Sequence, residues 1–166
     1  MTLGIDNLYC CSRNHYEQEG NPINPEEIIN NIIKLFREKG LKITPQRLEV
    51  INVLAHDAGH PSALAIFRKA RVNAPTISLS TVYYTLTMLK KHRLVKELEF
   101  NGMDNRYEGN TSHHLNLICI RCGSIQDFIE EMPFSTRKVE EGIGFHAVDT
   151  RMEYYGYCRE CKPNQG

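Results

Sequence analysis

The chain has 166 residues, 41% of them hydrophobic, which is enough for one ordinary domain or two small ones with real cores. No apolar run approaches the ~20 residues that a membrane span requires, and no basic-then-apolar leader opens the chain, so a soluble, cytoplasmic protein without a membrane partner is expected. Net charge is zero but segregated: residues 1–26 carry 1 base and 4 acids, residues 27–100 carry 12 and 6, and residues 101–166 carry 7 and 10, giving −3, +6 and −3. A basic middle between acidic flanks suits a phosphate-backbone partner, although an ordinary solvated surface has the same composition.

Residues 1–25 hold Cys10, Cys11, several Asn and Gly20 without periodicity, and read as an N-terminal extension. Asn24-Pro25-Glu26-Glu27 opens a first helix, with Asn24 as N-cap, proline at the first position and acids in the first turn. Ile28, Ile29, Ile32, Ile33 and Phe36 fall at helical spacing, and Lys39-Gly40 stops the helix. Thr44-Pro45 starts a second helix carrying Leu48, Val50, Ile51 and Leu54. Gly59-His60-Pro61 breaks the pattern, Ser62 caps a third helix, and Leu64, Ile66 and Phe67 give that helix its apolar side. A fourth begins within Ser78–Thr81 and turns Val82, Leu86 and Leu89 inward. From Leu94 the period changes to two, Asn101-Gly102 makes a turn, and Arg106-Tyr107-Glu108 returns. Helices followed by such a hairpin form a winged helix-turn-helix. Beyond it come short β-like runs at 115–120 and 124–128, a helix near 135–141 and a strand near 148–155. The fold class is therefore mixed α+β: a winged-helix domain over 26–107 and an α/β domain over 108–166.

Cys119-Ile-Arg-Cys122 and Cys158-Arg-Glu-Cys161 are two C-x-x-C pairs. Each can sit on a tight knuckle, and two knuckles complete a tetrahedral shell of four thiolates around a structural Zn(II). Such a shell leaves no open coordination position, so this ion stabilises and does no catalysis. Disulfides are disfavoured in a cytosolic chain, and a redox C-x-x-C has no use for a second copy. Cys10 and Cys11 read as thiols outside the site. No H-E-x-x-H, G-x-S-x-G or phosphate-binding glycine loop points to an enzyme.

Several ordered motifs make the chain resemble the ferric uptake regulator family of metal-dependent repressors. They are Ile43-Thr44-Pro45-Gln46-Arg47, His60-Pro61-Ser62-Ala63, Ser80-Thr81-Val82-Tyr83-Tyr84-Thr85-Leu86, Arg106-Tyr107-Glu108, His113-His114 and Tyr155-Gly156-Tyr157-Cys158. The resemblance implies a homodimer on double-stranded operator DNA, with the C-terminal domain serving dimerisation. It makes the helix at Ser80 and Thr81 the recognition helix, with Tyr83 the base-contacting tyrosine and Tyr84 a departure from the usual arginine or asparagine. Lys42 and Arg47 become candidates for minor-groove or phosphate contacts.

The resemblance also implies a second, exchangeable metal, Fe(II), Mn(II) or Zn(II), held by His60, Glu108, His114, Asn116 and Asp127. Mixed imidazole and carboxylate ligation favours iron or manganese. Relatives carry a histidine where this chain has Asn116, and an amide oxygen is the weaker ligand. A third site found in some relatives would draw on Leu115, Phe134 and Thr150 and is not expected. Asp127 and the Val95-Lys96-Glu97-Leu98 run resemble the peroxide-sensing branch, whereas Glu108 resembles the iron regulators. The leading expectation is a peroxide-responsive repressor; the alternatives are an iron-responsive regulator reading metal occupancy alone, or a zinc-binding interaction module.

Overall fold

Four cap residues decide where the helices begin. In the computed structural model, which describes residues 24–99, 104–129, 136–148 and 150–163, the side chains of Asn24, Thr44, Ser62 and Ser78 each accept a backbone N–H of the first turn. The helices that follow are α1 (Pro25–Glu38), α2 (Pro45–His56), α3 (Ala63–Asn73) and α4 (Leu79–Lys91). Helix α1 ends as its composition predicts: Gly40 takes φ +63°, and the Leu41 amide reaches back to Phe36 O at 2.8 Å. Helix α4 starts at Leu79, just ahead of Ser80, because Ser78 is the residue that accepts the Thr81 amide at 3.1 Å.

Two strands, β1 (Lys96–Leu98) and β2 (Arg106–Glu108), pair antiparallel with Glu97 opposite Tyr107. Strand β2 also bridges backward on its other side, where Arg106 opposes Ser62 and the Tyr107 amide donates to Pro61 O at 3.0 Å. The expected turn at Asn101-Gly102 lies outside the described residues, as do Phe100, Phe134, Cys10 and Cys11.

The chain divides between Thr111 and Ser112. The helical unit has one core, built from Ile29, Ile32 and Phe36 of α1, Val50, Ile51 and Leu54 of α2, Ile66 of α3, and Val82, Leu86 and Leu89 of α4. Two details differ from the sequence reading. Leu64 is 38% exposed, because the Ser62 cap sets the phase of α3 so that Ala63, Ile66 and Ala70 face inward. Val95 and Leu98 are both buried despite opposite parity, because Val95 precedes β1 in a bend and the two-residue alternation begins only at Lys96.

The sheet unit holds β3 (Leu115–Cys119), β4 (Ile125–Phe128), α5 (Thr136–Ile143) and β5 (Glu153–Gly156). Its sheet runs β4-β3-β5, with β3 antiparallel to β4 and parallel to β5. Asn116 stands opposite Asp127 across the first pair, and Cys119 opposite Gly156 across the second. The last strand is shorter than the sequence suggests and begins at Glu153.

Replacing Ile51, fully buried where α2 packs in the core, by alanine is expected to cost about 2–5 kcal/mol in urea unfolding of the helical unit. Leu64→Ser should stay within about 0.5 kcal/mol of the parent. A large loss at Leu64 would show that α3 uses the face its sequence first suggests.

Candidate functional site

The two C-x-x-C pairs meet. Cys119 ends β3, and the chain turns back through Gly123, whose φ of +69° suits glycine and whose amide donates to Cys119 O at 2.8 Å. The second pair turns in the same way, with the Cys161 and Lys162 amides on Cys158 O at 3.0 and 2.9 Å. Arg121 Nη1 donates to Cys161 O at 3.4 Å and ties one knuckle to the other. All four sulfurs lie within 4.8 Å of one another, and Cys122 Sγ is 3.8 Å from Cys158 Sγ. A disulfide needs about 2.05 Å. Four thiolates at ~2.3 Å from one ion stand about 3.8 Å apart along each tetrahedral edge. The cluster therefore fits a four-thiolate metal and not a pair of disulfides.

Thiols this close share protons unequally. Burial works against ionising Cys119, but the backbone N–H groups of Cys158, Cys122 and Arg121 outweigh it and lower its pKa to about 6. Cys161 is raised, first by its hydrogen bond to Cys158, then by burial and its contacts with Cys122 and Cys119. A dication at the centre would take the place of the protons the cluster otherwise retains.

The residues read as an exchangeable metal's ligands fall into one group in each unit. In the helical unit His60 Nε2 lies 3.5 Å from Glu108 Oε2, both residues buried. The backbone brings them together: β2 pairs with the 61–62 segment, and Arg106 Nη1 reaches His60 O at 3.5 Å. His60 takes φ +51°, a left-handed conformation uncommon for a residue with a side chain, though histidine adopts it more readily than most. The turn before it is secured by Asp57, whose carboxylate accepts the Gly59 amide at 3.0 Å and Lys69 Nζ at 2.6 Å.

In the sheet unit, His114 sits just ahead of β3, and its Nε2 lies 3.9 Å from Asp127 Oδ1. Its Nδ1 is 3.0 Å from Ser112 O. A carbonyl can only accept, so Nδ1 carries the proton in the neutral ring and the lone pair is on Nε2, toward Asp127. Asn116, two residues on and opposite Asp127, is buried, and its Oδ1 has no hydrogen-bond partner among the described residues. An amide oxygen in that condition is costly unless something positive meets it. His113 is exposed, whereas His114 is buried.

The residues read as DNA contacts lie on the surface of the helical unit. Ser80, Tyr83, Tyr84 and Thr87 form the outward stripe of α4, Tyr83 and Tyr84 being 49% and 61% exposed, so packing in the core does not explain Tyr83. Thr81 is half-buried and bonds back to Ser78 with its hydroxyl at 2.8 Å, making it part of the cap. Lys42 is exposed; Arg47 lies over the Tyr84 ring.

One residue with a positioning role escaped the sequence reading. Glu97, named there only within the Val95–Leu98 run, gathers Asn105 Nδ2 at 2.8 Å and Tyr107 Oη at 3.0 Å on one oxygen and Lys90 on the other. It fastens the wing strands to the end of α4. The only signal for it was a single acid on a three-residue strand.

Comparison with known proteins gives three findings. A family model described as the ferric uptake regulator family matches residues 38–155. The chain is 33% identical over 138 residues to the peroxide-responsive repressor PerR of Staphylococcus aureus, covering 82% of this chain and 93% of that one. Among solved structures it is similar to the ferric uptake regulator Fur of Helicobacter pylori, which is described as having three functional metal-binding sites, at 27% identity and TM-score 0.67 over 87% of this chain and 98% of that one. It is also similar to the Campylobacter jejuni peroxide stress regulator, at 26% identity and TM-score 0.60 over 78% and 98%.

The Glu97 contacts generate a pH dependence. Burial acts to raise its pKa, but the bonds from Lys90, Asn105 and Tyr107 outweigh it and hold it below the ordinary 4.5. A depressed folded-state value gives stability that is present above pH 4.5 and lost as pH falls through the folded value. Glu97→Gln is therefore expected to destabilise the helical unit by about 1–2 kcal/mol at pH 7, with the deficit shrinking below pH 4.5 in paired denaturant titrations. A deficit unchanged at low pH would assign the effect to shape.

Proposed function

This chain belongs to the ferric uptake regulator family, and from that premise we propose that it is a metal-dependent repressor that binds operator DNA as a homodimer and answers hydrogen peroxide through oxidation of its own metal-ligating histidines. The family consists of metal-responsive transcription regulators, so the chain is not an enzyme.

The observation that carries the metal reading is the identity of the buried polar residues. Among the described residues these are His60, Thr85, Glu108, His114 and Asn116. Thr85 is accounted for by its own helix, donating to Thr81 O at 2.7 Å. The other four are all residues that the sequence nominates as ligands. Burying a carboxylate, two imidazoles and an amide is costly in an ordinary core and is repaid at a metal.

In this reading the four cysteines hold a structural Zn(II), and His60, Glu108, His114, Asn116 and Asp127 serve a single exchangeable Fe(II) or Mn(II). His114 offers the Nε2 lone pair that the Ser112 carbonyl leaves available. Fe(II) held there would lend one electron to the O–O bond of hydrogen peroxide and regain one from the ring, so that the two electrons the peroxide consumes come from the histidine. The ring of His60 or His114 gains one oxygen atom, the other leaves as water, and the altered ring binds metal less well, so DNA is released. The aspartate at 127, 3.9 Å from His114, and the likeness to a peroxide-responsive repressor support this branch. An iron-responsive regulator reading occupancy alone is the second reading, favoured by Glu108, buried beside His60, and by the likeness to Fur.

Intact-mass analysis and peptide mapping of the Fe(II)-loaded protein after peroxide should find a one-oxygen adduct on His60 or His114, absent from the Mn(II)-loaded protein. Unmodified histidines in protein that still follows Fe(II) occupancy would select the iron reading. Separately, Cys158→Ser is expected to abolish dimer and DNA binding together, whereas His60→Ala keeps the dimer in size-exclusion chromatography and loses at least about tenfold in metal-dependent gel shift. A Cys158→Ser protein that dimerises and binds DNA normally would remove the structural role of the cysteine metal.

A further inference from the structure

The outward stripe of α4 is completed by a residue that α4 does not carry. Tyr84 is 61% exposed, and its ring has a partner from another helix: the guanidinium of Arg47, in the first turn of α2, has its Cζ 5.0 Å from the ring centroid. That is inside the ~6 Å over which a cation and an aromatic face attract. A second restraint acts on the same group, since Arg47 Nη1 donates to Lys42 O at 2.6 Å. One face and one edge of the guanidinium are thus held. Among the described residues only that one of its five N–H donors is used, and no carboxylate pairs with it. An arginine fixed in place with most of its donors unspent is prepared for a ligand outside the chain.

Chemistry selects the ligand. A planar fork of donors matches a phosphate or a carboxylate. Arg47 lies in the first turn of a helix, where the backbone dipole also favours an anion, and the exposed Lys42 adds charge beside it. The group stands against the outward face of α4, so the anion is one that approaches that face. We propose that Arg47 and Tyr84 act as a single recognition element, in which the Tyr84 ring holds the Arg47 guanidinium ready for a phosphate of the DNA backbone and Tyr84 itself reads no base. The proposal rests on the chain's acting as a DNA-binding repressor.

The test uses the Mn(II)-loaded full-length protein, a duplex that the wild type selects from a randomised pool, and a panel of single-base variants of that duplex, read by fluorescence anisotropy across a salt series. Arg47→Ala and Tyr84→Ala should each weaken binding about tenfold, and the double variant should stay within about twofold of either one. Each single variant should reduce the salt slope by about one, leave the base-preference profile unchanged, and keep the wild-type melting temperature. Tyr84→Phe, which keeps the ring, should bind as the wild type does. Losses that add to about a hundredfold in the double variant would overturn the proposal. So would a Tyr84→Ala protein that keeps its salt slope but changes preference at one base pair, since Tyr84 would then be reading that base. A wild type that selects no duplex at all defeats the DNA-binding reading before any variant is made, and the proposal falls with it.

Discussion

The sheet unit brings its four cysteine sulfurs within 4.8 Å of one another, and the proposed structural metal would close the unit there. Among the described residues its buried aliphatic side chains are Leu115, Ile118 and Ile125, each worth about 1.5–3 kcal/mol when fully buried. Against this stands a conformational cost of about 1–2 kcal/mol for every residue whose backbone is ordered. A unit of this size gains from a staple, and the proposed metal would be one, with Cys119 and Cys161, both buried, holding it from opposite ends of the segment. The rest of the geometry follows from that closure. The second knuckle leaves directly from the end of β5, so bringing the sulfurs together fixes β5 beside β3, and β3 in turn sets Asn116 opposite Asp127. Ile143, Phe145, Val148, Tyr154, Tyr155 and Tyr157 are left exposed.

The helical unit is organised on the opposite principle. Among the described residues its core is large and apolar apart from Thr85, and its four helices are placed by local caps and by packing. Polarity enters at one edge, where the left-handed His60 and the strand residue Glu108 meet. That contrast makes physical sense for a regulator. In the proposed repressor, a unit that holds its shape through its own core would carry the DNA-facing helix, while the proposed ligands His60 and Glu108 lie at its margin.

Much of this was legible in the sequence, and the reasons are local. Asn24-Pro25, Thr44-Pro45 and Ser62 announce helices because capping is a matter of three or four adjacent residues, and the cysteine pairs announce a four-thiol cluster because each pair's spacing is itself the geometry of a knuckle. The phase of α3 was misread at Leu64 because a leucine and an alanine compete for the inward position, and the cap decides between them. His60 and Glu108 could be joined only through family resemblance, since what unites them is the second pairing edge of β2, and no periodicity records which strands will bridge. Glu97 and the Arg47–Tyr84 stack were illegible for the same reason: each is a contact between elements distant in sequence, made by residues that look like ordinary surface.

Strand β2 is three residues long, and successive side chains of a strand point to opposite faces. Tyr107 therefore serves the wing and the end of α4 through Glu97, while Glu108, its neighbour, serves His60. A slip of one residue in its pairing would exchange the two roles and lose both. A substitution that shifts the pairing at 106–108 therefore reaches the wing and the His60 edge at once, whereas one in the turn that Asp57 secures ahead of His60 leaves the Tyr107–Glu97 contact alone.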